Sequence, residues 1–268
     1  MVPPFKAAAL QFRIDMGAVE ENSARAFSFL RKASEEGAAL CVLPEMWSTG
    51  FSYERLPALA RTTPEILYEL RRFAAEKRLV IAGSLPERVG GSVYNTLYVI
   101  NSTGVITGQY RKTHLFQPSG EPLHFRRGTS ASVALSDLGP IGPLICYDIR
   151  FPELARKYFL EGATLFCVCA QWPTIRKSHW DLLNAARAVE NQLFVVCSNA
   201  VGRSGDFHYS GGSSIISPWG ERLAFAGEKE EGMALATIDL AEVGEVRRRI
   251  PCAEDRNERA YRKTRRKK

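Results

Sequence analysis

Ile141-Gly-Pro-Leu-Ile-Cys-Tyr-Asp-Ile-Arg-Phe-Pro-Glu-Leu-Ala-Arg-Lys-Tyr-Phe-Leu-Glu-Gly-Ala-Thr-Leu-Phe-Cys-Val-Cys-Ala170 is the stretch that decides how this chain folds. Residues 141 to 147 and 164 to 170 are short apolar runs of strand type, and between them residues 152 to 161 carry a helical pattern that Gly162 stops. Strand, helix, strand in that order is a β-α-β unit. Cys146 sits where the first strand runs into the start of the helix. A helix N-terminus there would present unpaired N–H groups and a partial positive charge, which favour a thiolate over a thiol. The expectation from sequence is an ionised, reactive sulfur.

The same alternation extends in both directions. Upstream, Val19, Ala26, Phe27, Leu30 and Ala33 recur at helical spacing, Gly37 supplies a left-handed stop, and residues 38 to 43 form a buried strand. Thr63-Pro-Glu65 reads as an N-cap with proline at the first helical position, and Ile66, Leu67, Leu70, Phe73 and Ala74 continue one apolar face. Residues 79 to 85 return to strand character. Two further strands, 94 to 100 and 105 to 110, flank the hairpin turn Asn101-Ser-Thr-Gly104, so the sheet is mixed. Downstream come a helix at 179 to 190, with Ser178 and Asp181 as a capping box, and a strand at 193 to 198. Two successive α/β halves suggest two sheets packed face to face with helices outside, while pattern alone leaves a doubly wound single sheet as a rival.

Polar residues stand at matching places in these halves. Glu45 ends the run Ala38-Ala-Leu-Cys-Val-Leu-Pro-Glu45, and Lys112 ends Val105-Ile-Thr-Gly-Gln-Tyr-Arg-Lys112. A carboxylate, an ammonium and a thiol therefore each follow a strand. Taken singly, the glutamate could cap a loop, the lysine could be a surface charge, and the cysteine could be an ordinary core thiol.

As a set they resemble the nitrilase superfamily of carbon–nitrogen hydrolases, which break non-peptide C–N bonds with a Glu, Lys, Cys triad. The resemblance is carried by Leu40-Cys-Val-Leu-Pro-Glu45, Tyr110-Arg-Lys-Thr-His-Leu-Phe116 and Leu144-Ile-Cys-Tyr-Asp-Ile-Arg-Phe-Pro-Glu-Leu-Ala155. It continues in order through Gln171-Trp-Pro173, residues 178 to 192, Ser198-Asn-Ala-Val-Gly202 and residues 211 to 221, reaching about Tyr261. It implies an α-β-β-α sandwich of four layers with two mixed β-sheets, formed by residues 1 to 261 as one domain, and a homodimer or higher homo-oligomer.

The resemblance also assigns roles. Cys146 attacks an amide carbonyl, Glu45 is the general base and acid, and Lys112 with the backbone N–H of Tyr147 stabilises the oxyanion. A second carboxylate that positions the lysine matches Glu121, for which a plain exposed loop residue is the alternative. Asp148 and Arg150 read as structural, one accepting N–H bonds at a helix start and the other pairing with a carboxylate. A Cys–His dyad is the competing plan. His114 would share a strand face with Lys112 if the strand continues, and His179 sits at a helix cap. Gln171-Trp-Pro173 and Arg176-Lys-Ser-His-Trp180 look most like the ω-amidase branch, which releases ammonia from the side-chain amide of 2-oxo acids such as 2-oxoglutaramate. That points to Arg176 as partner of a substrate carboxylate beside Trp172, with Phe116 and Phe51 walling the pocket. Amidases acting on deaminated glutathione or N-carbamoyl amino acids, and a non-catalytic binding protein, are the alternatives. No metal or cofactor is implied, because these steps use only protein groups and water.

Bulk composition bounds the partners. The 268 residues are 45% hydrophobic and 24% charged, enough for a substantial core. The formal charge of +7 comes from one end: residues 247 to 268 hold 11 Lys/Arg and 3 Asp/Glu, which out of totals of 36 and 29 leaves 25 against 26 elsewhere. The terminal block Arg262-Lys-Thr-Arg-Arg-Lys-Lys268 reads as a solvated, disordered tail rather than a nucleic-acid arm. The six cysteines show no disulfide or zinc spacing, and Cys41, Cys167, Cys169 and Cys197 lie in apolar runs as small buried hydrophobes. With no secretory signal and no membrane-length apolar run, the expectation is a cytoplasmic enzyme acting on a small-molecule amide.

Overall fold

The computed structural model describes residues 2–261, so the basic stretch 262–268 lies outside the described residues. The chain opens with β1 (Phe5–Gln11), α1 (Val19–Glu35), β2 (Ala38–Val42), the short α2 (Leu56–Leu59), α3 (Thr63–Lys77), β3 (Val80–Val89), β4 (Ser92–Ile100) and β5 (Ile106–Arg111). After α4 (Glu121–His124) and β6 (Ala134–Ser136) comes the second half: β7 (Gly139–Ile145), α5 (Pro152–Leu160), β8 (Leu165–Ala170), α6 (Lys177–Asn191) and β9 (Phe194–Asn199). A hairpin of β10 (Val201–Ser204) and β11 (Phe207–Ser210), then β12 (Ser214–Ile216), β13 (Arg222–Phe225), β14 (Gly232–Ile238), α7 (Ala241–Arg249) and α8 (Glu258–Tyr261) complete it.

The strands form two six-stranded sheets, ordered β14-β1-β2-β3-β4-β5 and β13-β12-β9-β8-β7-β6. Each has three parallel strands at its centre, β1-β2-β3 and β7-β8-β9, and antiparallel strands outside them, so both sheets are mixed as the sequence predicts. The four-layer α-β-β-α sandwich is the observed fold, and the single doubly wound sheet is excluded.

Period-two alternation explains the layering. In β1 Ala7 and Ala9 face the inter-sheet core, while Ala8 and Leu10 face the layer of α1 and α3, against Ala26, Leu30, Ile66 and Leu70. Leu40 and Val42 of β2 and Val80 and Ala82 of β3 join the same inter-sheet core, which they share with Ile145, Cys167 and Val196 of the second sheet. Burying each side chain of Val or Leu size in this way contributes roughly 1.5–3 kcal/mol.

Element ends differ from the sequence reading where local signals mislead. Ser178 lies inside the first turn of α6, and Asp181 pairs with Lys177 instead of closing a capping box. Thr63 is likewise helical, and its hydroxyl donates to the Pro86 carbonyl at 2.5 Å. Gly37 stops α1 with φ +82°, but α3 and α6 end on left-handed Arg78 and Gln192, which no glycine announces. Gln192 offsets that strain by donating Nε2 to the Ile250 carbonyl at 2.7 Å. Among the described residues all six cysteines are free thiols, and no helix is long and apolar enough to cross a membrane.

Candidate active site

The C-terminal ends of β2, β5, β7 and β8 deliver the polar residues, the edge at which open α/β sheets bind ligands. Glu45 follows β2, and Met46 after it takes a left-handed φ of +46°, fixed by its N–H donating to Ser84 Oγ at 2.8 Å. Lys112 directly follows β5 and is held by its own N–H on the Asn95 carbonyl at 2.8 Å. Cys146 follows β7 at φ +45°, a conformation that costs a non-glycine residue about 1–3 kcal/mol.

Asp148 holds that strained turn. Its buried carboxylate accepts the Ile145 N–H at 3.0 Å and the Tyr110 hydroxyl at 2.8 Å, and it contacts His114 Nδ1 at 2.8 Å. The turn is a single 3-10 segment, Cys146–Arg150, and the α-helix starts only at Pro152. As the second residue of that turn, Tyr147 has a backbone N–H with no partner inside it.

Four predicted residues converge. Lys112 Nζ lies 2.8 Å from Glu45 Oε1 and 2.8 Å from Glu121 Oε1, and all three side chains are almost fully buried. Glu121 is therefore no exposed loop carboxylate; its second oxygen accepts the Phe116 N–H at 3.1 Å. Glu45 also accepts Asn95 Nδ2 at 2.8 Å and the Gln171 N–H at 3.0 Å, and its carboxylate is near enough to Cys146 to act on the thiol electrostatically. Sγ also lies 3.9 Å from the Gln171 carbonyl.

The electrostatics correct one expectation. Burial pushes the Cys146 thiol well above its usual range, and the Glu45 carboxylate adds to this, outweighing the opposing Lys112 ammonium. The resting sulfur is a thiol, not a thiolate. A five-residue 3-10 turn offers too little aligned dipole to reverse that. Burial alone would strip Lys112 of its proton, but Glu121 and Glu45 more than compensate and keep it charged. Burial, opposed by Lys112 and aided by Glu45, holds Glu121 above the ordinary carboxylate range.

Cys146, Glu45 and Glu121 line a cavity of about 470 Å³, within the range of small-molecule sites. Its walls include Phe51, Phe116, Tyr147, Trp172 and Arg176, all singled out from sequence. Trp172 is pinned by its indole N–H on the Arg176 carbonyl at 2.7 Å. The Arg176 guanidinium sits over the Phe116 ring at 5.1 Å. Arg150, read from sequence as paired with a carboxylate, instead lies over the Trp172 ring at 4.8 Å and lines the cavity too. Among the described residues neither arginine has a carboxylate within 4.0 Å. His114 lies past the end of β5 and is taken up by Asp148, and His179 meets Arg150 Nη2 at 3.1 Å, so neither forms a dyad with Cys146.

Sequence reading missed Asn95, Gln171 and Arg150 as site residues. Gln171 carried a usable signal, since it is the polar residue ending an apolar strand, as Glu45 and Cys146 are. Asn95 lies inside a strand and gave none.

The carbon–nitrogen hydrolase family model matches residues 6–248. The 2-oxoglutaramate amidase of Bacillus subtilis (strain 168) is 42% identical over 248 residues, covering 92% of this chain and 95% of that protein. The omega-amidase NIT2 of Homo sapiens is 34% identical over 258 residues, covering 92% and 93%. The crystal structure of a carbon–nitrogen hydrolase from Helicobacter pylori G27 has a TM-score of 0.91 over 97% of each chain at 24% identity, a likeness of fold. The chain belongs to the carbon–nitrogen hydrolase family, and it is a hydrolase of carbon–nitrogen bonds.

Proposed function

We propose that this enzyme is an ω-amidase that converts the side-chain amide of a small 2-oxo acid, such as 2-oxoglutaramate, to acid and ammonia through a cysteine thioester. The observation that carries the reading is the joint placement on one cavity of the Cys146 thiol, the Glu45 and Glu121 carboxylates that the Lys112 ammonium bridges from behind, and three arginines, Arg55, Arg150 and Arg176, without carboxylate partners among the described residues. The names of the relatives at 42% and 34% identity support the substrate class.

Because the thiol rests protonated, Glu45 takes its proton as Sγ bonds to the amide carbon. Lys112 and the Tyr147 N–H receive the oxyanion, and the lysine stays charged throughout because Glu121 and Glu45 hold its proton. When the tetrahedral centre collapses, the C–N bond breaks, Glu45 returns the proton to nitrogen and ammonia leaves. Water then adds to the thioester with Glu45 as base, the C–S bond breaks, and the sulfur regains a proton. Arg176 with Arg150 holds the substrate carboxylate, while Trp172 and Phe116 fix the two guanidiniums from behind.

The discriminating experiment measures ammonia release from 2-oxoglutaramate and from an uncharged amide of similar length. Arg176→Ala should raise KM for the first about tenfold or more and spare the second, while Cys146→Ala should abolish both. Equal losses on both amides with Arg176→Ala would remove the arginine from substrate recognition. Within the same reading, residues 1–261 act as one domain, supported by the core shared between the sheets. The enzyme works in the cytoplasm, for which the free thiols speak, and as a homodimer, for which family resemblance speaks.

A further inference from the structure

A second groove, of about 490 Å³ and separate from the cleft above, opens over the β4–β5 end of the first sheet. Its floor is a polar ladder on one sheet face. Glu87 of β3 stands opposite Tyr94 of β4, and Thr96 stands opposite Arg111 of β5. Glu87 is saturated: it accepts Arg111 Nε and Nη2 at 2.7 Å each, Thr96 Oγ1 at 2.8 Å and Gln109 Nε2 at 2.7 Å. The Arg111 guanidinium also lies 4.2 Å from the Tyr94 ring centroid. This pair cancels its own charge.

The other wall is Arg126-Arg-Gly-Thr-Ser130. Its backbone is fixed, because the Arg126 N–H donates to the Val93 carbonyl at 2.8 Å and the Gly128 N–H donates to the Lys112 carbonyl at 2.9 Å. A Cβ at Gly128 would stand 2.1 Å from the Arg111 carbonyl oxygen, so only glycine allows this approach. Arg126 and Arg127 have no carboxylate within 4.0 Å among the described residues, and Thr129 and Ser130 expose hydroxyls beside them.

We propose that this groove is a binding site for a tetrahedral oxyanion, a free phosphate or the phosphate of a small monoester. Two guanidinium forks match such an anion bidentately, and the two hydroxyls supply donors for the oxygens that remain. A carboxylate has only two oxygens and would leave part of that donor set unused. The pinned backbone lowers the ordering cost of binding.

Calorimetric titration of inorganic phosphate into the full chain, in chloride buffer, tests the assignment. One saturable site per chain is expected, weakened at least tenfold in R126A/R127A with ammonia release retained, and unchanged in R150A/R176A, which removes two of the three cleft arginines. No saturable binding, equal affinity in R126A/R127A, or loss in R150A/R176A instead would each overturn it.

Discussion

Glu45 and Gln171 clasp each other twice across the gap between the two sheets. The Gln171 backbone N–H donates to Glu45 Oε2 at 3.0 Å, and its side-chain Nε2 donates to the Glu45 carbonyl at 2.9 Å. One residue thus aims the proposed base and fixes its backbone, while its own carbonyl faces the Cys146 sulfur. Gln171→Leu keeps the volume but removes the side-chain donor. Steady-state kinetics should show kcat falling about 10–100-fold with KM within about threefold, because misplacing a positioned group acts on the reacting geometry. A change in KM alone would refute this.

The thiol proton gives a second test. Since burial and then Glu45 raise the Cys146 pKa, iodoacetamide labelling of the wild type should still be accelerating at pH 9. Glu45→Gln removes a negative neighbour and leaves Lys112 closer to full effect, so the labelling profile should move to lower pH. Turnover should nevertheless drop at least about 100-fold, because the proposed base is gone. A variant whose thiol ionises more easily yet catalyses less would separate ionisation from catalysis.

Lys112→Met leaves Glu45 and Glu121 facing each other without a cation. Breaking a buried ion pair by removing one partner costs about 3–5 kcal/mol, measurable as a lower urea midpoint at pH 7. Glu45→Gln with Lys112→Met should recover part of that loss, since one uncompensated carboxylate is removed.

Glu121 links stability to pH. Its folded pKa is raised by burial, so the native state binds this proton more tightly than the unfolded chain does. The stabilisation is complete below the ordinary value of 4.5 and fades as pH rises through the folded value. Urea melts from pH 4.5 to 7 should therefore show a shallower decline, or a steeper rise, in Glu121→Gln than in the wild type. Parallel curves would exclude this linkage.

Asp148→Ala strips the partner from Ile145 N–H, Tyr110 and His114 in a turn that already carries Cys146 at φ +45°. A stability loss of about 3 kcal/mol is expected from these buried groups, with a parallel loss of activity. His114→Ala removes only the imidazole contact, one of four to this carboxylate, and should cost less than half as much.

The sequence by itself determined the order of strands and helices, because period-two and period-3.6 patterning report which faces are buried. It also placed a glutamate, a lysine and a cysteine at strand ends, since a polar residue closing an apolar run is visible locally. Only the tertiary structure decided what those groups are chemically. Cys146 stays a thiol because its burial and the nearness of Glu45 arise from segments about 100 residues apart, and no local pattern encodes that desolvation. Arg150 turned from a structural arginine into a wall of the cleft for the same reason, as its partner Trp172 lies on the far side of α5 and β8 in the chain.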